Sequence, residues 1–164
     1  MHNITLIGMP GAGKSTVGVV LAKAIGYKFI DTDLVIQEDQ GMVLQDIIEK
    51  YGTSGFNTIE NSVISSIHTD KSVIATGGSA VYGKEAMQNL KSAGKVLYLE
   101  LPYNDIKRRL GNLEKRGVSM EKGQTLEELY NKRVPLYEKY ADKIIQCHGL
   151  QIREITELII KEAL

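Results

Sequence analysis

Gly8-Met9-Pro10-Gly11-Ala12-Gly13-Lys14-Ser15 sets glycines, an ammonium and a hydroxyl side by side near the start of the chain. The order satisfies the Walker A pattern G-x-x-x-x-G-K-[ST] without a mismatch. Each residue type has a physical reason to be there. Glycines remove side chains, so the backbone amides of Gly11, Ala12 and Gly13 can converge on phosphate oxygens. The helix that follows adds unsatisfied N–H groups and the positive end of its dipole. Lys14 brings a cation to the β- and γ-phosphates, Thr16 adds a contact to them, and Ser15 offers a hydroxyl oxygen to Mg²⁺, a hard ion that prefers oxygen ligands. The pattern alone does not separate a kinase from a GTPase or a motor ATPase. Against a GTPase, Asn131-Lys132-Arg133-Val134 lacks the aspartate that would complete the guanine-reading N-K-x-D.

Asp31 and Asp33 follow the apolar run Tyr27-Lys28-Phe29-Ile30. A carboxylate pair in that position lies at the carboxyl edge of a sheet, on the same rim as the phosphate loop. Phosphoryl transfer needs a metal to neutralise developing charge and an oriented acceptor hydroxyl whose proton must leave. Asp31 is assigned to Mg²⁺, through water, and Asp33 to the acceptor hydroxyl. A plainer alternative stays open, because D-x-D serves equally well to start a helix, with Asp33 as its cap.

The elements that must hold these groups are legible in the apolar pattern. Short runs at 4–7, 27–30, 72–75, 96–101 and 143–147 are rich in branched residues and read as strands. Helical spacing covers about 14–25, 33–40, 43–51, 55–67, 83–91, 103–111, 125–140 and 151–163, and Thr125 with Glu128 has capping-box spacing. Continuous apolar strands alternating with helices predict an α/β fold, a three-layer α/β/α sandwich around a five-stranded parallel sheet. The chain, 1–164, reads as one domain. Between helices, 111–124 is polar, contains glycine and has no periodicity, and it reads as a lid.

Composition excludes several other roles. Twenty basic residues balance twenty acidic ones, so no positive field holds a nucleic acid. No apolar run reaches the ~18 residues of a membrane span, and the chain start shows no secretion signal. Cys147 is the only cysteine, which excludes an internal disulfide and a structural zinc site with His2, His68 and His148. The chain is expected to be a cytoplasmic monomer whose partner is a small molecule. Tyr130, Tyr137 and Tyr140 recur at helical spacing and are assigned to the core.

GMPGAGKST, FIDTD, ATGG after the third strand and R-V-P-L-Y in a late helix together resemble the shikimate kinase family, over nearly the whole chain. The resemblance implies a P-loop domain, similar to nucleoside monophosphate kinases, that uses ATP and Mg²⁺ to phosphorylate the 3-hydroxyl of shikimate on the route to aromatic amino acids. It implies that Asp31 serves Mg²⁺ and Asp33 holds the reacting hydroxyl. Gly77 and Gly78 would approach the substrate with their backbone, Ser79 replacing a third glycine. Arg133 would hold the substrate carboxylate, unless it is a solvated helix charge. Arg116 would be the lid arginine that reaches ATP, with Arg108 and Arg109 as rivals. Asn57, in Phe56-Asn57-Thr58-Ile59-Glu60, stands where the family's F-R-x-x-E has an arginine on the substrate carboxylate. An amide carries no charge and makes no bidentate fork, so affinity for shikimate falls by about tenfold to a hundredfold unless another cation substitutes. Glu60 either organises the substrate side or is a solvated helix residue. Two other functions stay open: a kinase of this fold for a different polyol or hydroxy acid, and a nucleotide-binding module without chemistry.

Overall fold

The computed structural model describes residues 2–111 and 118–164. β1 (Asn3–Ile7) is buried at every position. Successive strand residues point to opposite faces, so an unbroken buried run means that both faces are covered. β2 (Lys28–Asp31), β3 (Ser72–Ala75), β4 (Gly94–Glu100) and β5 (Lys143–Gln146) complete a sheet of order β2-β3-β1-β4-β5. Every pairing is parallel. Parallel neighbours need crossovers, which here are helices: α1 (Lys14–Ile25), α2 (Thr32–Gln40), α3 (Leu44–Ser65), α4 (Lys84–Ala93), α5 (Tyr103–Arg109), α6 (Leu126–Tyr140) and α7 (Ile152–Ala163). α1 packs beside α7 and over β2 and β3, while α4 and α6 pack on β4. The result is the expected three-layer α/β sandwich.

In this order β1 has β3 on one side and β4 on the other, so the chain leaves the central strand in two directions. A crevice opens at the carboxyl end of such a switch point, and the phosphate loop leaves β1 there. The main core joins the sheet to α1, α4, α6 and α7, whereas Ile36, Ile47 and Phe56 form a separate cluster between α2 and α3. That small core carries the helix on which Asp33 rides.

The expected helices 43–51 and 55–67 are both present within α3, two helical segments that meet at a kink at Gly52, whose φ of 72° and ψ of 175° are not helical. One detail was not expected from the sequence. A short 3-10 turn at Ala80–Tyr82 follows the glycine pair. At the start of α6, the Thr125 hydroxyl accepts from the Glu128 amide at 3.1 Å. Among the described residues no helix is long and apolar enough to cross a membrane.

Candidate active site

The phosphate loop is tied down at both ends. At Gly8 (φ 147°) an added Cβ would lie 2.8 Å from the Leu99 carbonyl oxygen of β4, so the loop leaves the sheet where no side chain fits. Gly13, with φ 92°, starts α1 in the left-handed region. Lys14 Nζ donates to the carbonyls of Gly8 at 2.6 Å and Met9 at 2.7 Å. Burial pulls its pKa down to about 8, with the Asp33 charge opposing and Arg133 reinforcing. The Ala12 amide donates to the Met9 carbonyl at 3.1 Å and its side chain is buried, so Ala12 shapes the turn. Gly11, Gly13, Lys14, Ser15 and Thr16 line a cavity of about 310 Å³ at the head of α1.

Asp31 has two contacts. Its Oδ1 accepts from the Asp33 amide at 2.9 Å, and its Oδ2 accepts from Ser15 Oγ at 2.8 Å. The helix cap is therefore Asp31, at φ −103° and ψ 115°, and not Asp33. The physical reason is that α2 starts one residue early, at Thr32. Asp33 falls inside the first turn and lines the cavity. Burial raises its pKa to about 6, the neighbouring Asp31 charge adds to this, and Lys14 opposes.

Gly77, Gly78 and Arg133 line the same cavity. A Cβ at Gly77 would lie 2.7 Å from Asp33 Oδ1; one at Gly78 would lie 2.7 Å from both Arg133 Nη1 and Pro10 Cδ. The two glycines are thus the places where site side chains press on bare backbone. Arg133 is 1% exposed, which removes the reading as a solvated helix charge. Its Nη2 donates to the Ser119 carbonyl at 2.8 Å and its Nε to the Tyr82 hydroxyl at 3.3 Å. Among the described residues it forms no ion pair. Tyr137 is core, as read, but its hydroxyl also donates to the Gly78 carbonyl at 2.7 Å and fixes the floor. Helical spacing shows that Tyr137 is packed and gives no sign of this bond.

A family model described as shikimate kinase matches residues 10–164. The chain belongs to the shikimate kinase family. It is 42% identical to the shikimate kinase of Thermodesulfovibrio yellowstonii over 165 residues, covering 99% of this chain and 95% of that one. The shikimate kinase of Francisella tularensis subsp. holarctica is 39% identical over 161 residues, with 96% and 92% covered. Among solved structures, shikimate kinase from Acinetobacter baumannii in complex with shikimate superposes with a TM-score of 0.88 at 33% identity, covering 98% of this chain and 92% of that one. Shikimate kinase from Aquifex aeolicus gives 0.81 at 27%, with 97% and 94% covered.

Within this shikimate kinase family member, Asn57 lies away from the cavity that holds Arg133 and lines a neighbouring one. Its Oδ1 is buried without a partner. Glu60 is no solvated residue: at 1% exposure its Oε1 accepts from Ser79 Oγ at 2.6 Å, and its Oε2 has no partner. Burial raises the Glu60 pKa to about 7, against the Ser79 hydrogen bond. Ser79, read only as a missing glycine, is thus the hydroxyl that satisfies a buried carboxyl. Arg116 lies outside the described residues. Of its rivals, Arg108 pairs with Asp105 at 2.8 Å and Arg109 donates to the Gly11 carbonyl at 3.2 Å.

Proposed function

We propose that this shikimate kinase family member transfers the γ-phosphoryl group of ATP to the 3-hydroxyl of shikimate. The observation that carries the proposal is one cavity lined at once by the phosphate loop, the Asp33 carboxylate, the Gly77-Gly78 backbone and a buried Arg133 with no ion pair among the described residues. A polyphosphate needs the first, a hydroxyl the second, and a carboxylate the last. The Ser15 hydroxyl and the Asp31 carboxylate, 2.8 Å apart, form an all-oxygen pair that suits Mg²⁺. Bound there, Mg²⁺ supplies neutralisation of charge on the phosphate oxygens.

Lys14 then serves the β- and γ-phosphates, exchanging its loop carbonyls for phosphate oxygens. Ionised Asp33 accepts a hydrogen bond from the acceptor hydroxyl and takes its proton as the oxygen bonds to the γ-phosphorus. The bond from that phosphorus to the bridging oxygen breaks, and ADP leaves. Arg133 holds the acceptor by its acid group, and Gly77 and Gly78 let the ring approach the backbone. Arg116 is assigned to the transferring charge on the family resemblance alone. We place the enzyme in the cytoplasm, as a monomer whose 164 residues form one kinase domain; the lid, 111–124, is assigned on the sequence, and its residues 112–117 lie outside the described ones. The balanced charge and the single cysteine, buried with its thiol pushed up to about 12, support that setting.

A coupled ADP-release assay over a panel of hydroxylated acceptors tests the proposal. Shikimate is expected to turn over with a micromolar-range KM. Turnover of another hydroxy acid with shikimate inert would replace the acceptor, and nucleotide binding without phosphorylated product from any acceptor would remove the chemistry.

A further inference from the structure

Arg133 meets an arriving carboxylate with only part of its guanidinium. Its Nε and Nη2 already donate to the Tyr82 hydroxyl and the Ser119 carbonyl, which leaves the Nη1 end, beside Gly78, for an arriving acid group. The side-on fork of a guanidinium uses Nε with Nη2, and that edge is engaged. A carboxylate offers two oxygens with about four lone-pair sites, so there is room for a second donor beside Arg133. The other cation lining this cavity, Lys14, is assigned to the phosphates.

One step past Ser119 lies a second cavity, of about 490 Å³, which the proposed reaction does not use. Ser119 lines both cavities, is 5% exposed, and has a buried hydroxyl without a partner. Asn57 also lines the second cavity; its amide oxygen is buried without a partner, and its Nδ2 is the end that can donate. Lys132 lines it too, and its Nζ lies 5.4 Å from the centre of the Tyr82 ring. The Arg133 guanidinium carbon lies 5.4 Å from the centre of the same ring, so both cations pack against one tyrosine. Glu85 and Glu121 also border the cavity, but the Glu85 carboxylate is occupied by Asn61 Nδ2 at 3.0 Å. Among the described residues Lys132 forms no ion pair. The cavity therefore joins an ammonium without an ion pair among the described residues to the Ser119 hydroxyl and the Asn57 amide, beside a half-engaged guanidinium.

We propose that Lys132, working from the second cavity, shares the acceptor's carboxylate with Arg133, with the Asn57 amide donating beside it. This rests on the reading of the acceptor as shikimate. It assigns substrate charge recognition to a residue that otherwise looks like a surface lysine lying over an aromatic ring.

The test compares shikimate with its carboxamide, which has the same shape and no charge, in the unaltered protein and in Lys132→Met and Lys132→Arg. Lys132→Met should raise the KM for shikimate about fivefold, as expected for a partly solvated charge pair, with kcat within about twofold. The KM for the carboxamide should not move, and Lys132→Arg should restore the shikimate value. An unchanged shikimate KM in Lys132→Met overturns the inference, as does an equal rise for both acceptors, which would mean a packing role over Tyr82. Either result leaves shikimate phosphorylation standing. Failure of that parent reading shows separately, as no shikimate turnover by the unaltered protein, and removes both.

Discussion

Replacing Arg133 by methionine separates recognition from folding. The substitution keeps an unbranched side chain and removes the guanidinium. A hydrogen bond to a charged group contributes about 1.5–3 kcal/mol, and ~1.4 kcal/mol is one decade, so the KM for shikimate should rise about 10- to 150-fold. The KM for ATP should stay within about twofold, because the phosphate loop does not use this side chain. Stability has opposing terms. The variant leaves the Ser119 carbonyl and the Tyr82 hydroxyl without their donor, at about 1–3 kcal/mol for each group that stays buried. It also removes a cation that is 1% exposed and has no carboxylate partner among the described residues, which relieves several kcal/mol of desolvation. The terms nearly cancel, and Tm should move by no more than about 4 °C, since ~1 kcal/mol shifts a domain of this size by ~2–4 °C. Initial rates against shikimate at saturating ATP, ADP release as the signal, and a thermal melt give all three numbers. A shikimate KM within twofold of the unaltered protein would refute the assignment. A rise in both KM values with a Tm loss beyond about 8 °C would make Arg133 a strut holding Ser119 and not a ligand for the acid.

Other outcomes follow from the same geometry. With Asp33 at about 6 and Lys14 at about 8, kcat/KM for ATP should rise as pH climbs through about 6, where Asp33 becomes able to take a proton. It should fall above about 8, where the free enzyme loses the Lys14 charge; a profile flat between pH 5 and 9 contradicts both assignments. Asp31→Asn keeps an equally good helix cap, so stability should change by less than ~0.5 kcal/mol. The Mg²⁺ concentration for half-maximal activity should rise about tenfold, measured by metal titration at fixed ATP. Gly77→Ala puts a Cβ 2.7 Å from Asp33 Oδ1 and 3.1 Å from Glu60 Oε2. Displacing the carboxylate by even ~1 Å should cost about 100-fold in kcat with ATP affinity kept, and a retained kcat would show that Asp33 yields without loss.

What could be read in advance was whatever chemistry or burial imposes locally. The Walker pattern is a backbone requirement written in glycines, and β1 and β3 are buried at every position, so apart from Asn3, Thr5 and Ser72 their residues are apolar. The strands and most helix limits follow from that. Asp31 and Asp33 were legible as a pair, but not which one caps α2, because that depends on a helix start shifted by one residue. The bonds from Tyr137 to Gly78 and from Ser79 to Glu60 join residues 59 and 19 positions apart, and no spacing rule records them. Glu60 and Arg133 sit on helices whose sequence gives no warning that a charge points inward. Asn57 was marked by a missing arginine, whereas its place in a separate cavity beside Lys132 depends on how α3 and α6 meet.

The ammonium of Lys14, held by two carbonyls of its own turn, makes the arrival of a polyphosphate a change of partners. The loop's curve is braced from within by the same side chain that carries its charge. A nucleotide therefore meets a mould already cast, and little ordering of the turn is left for binding to supply.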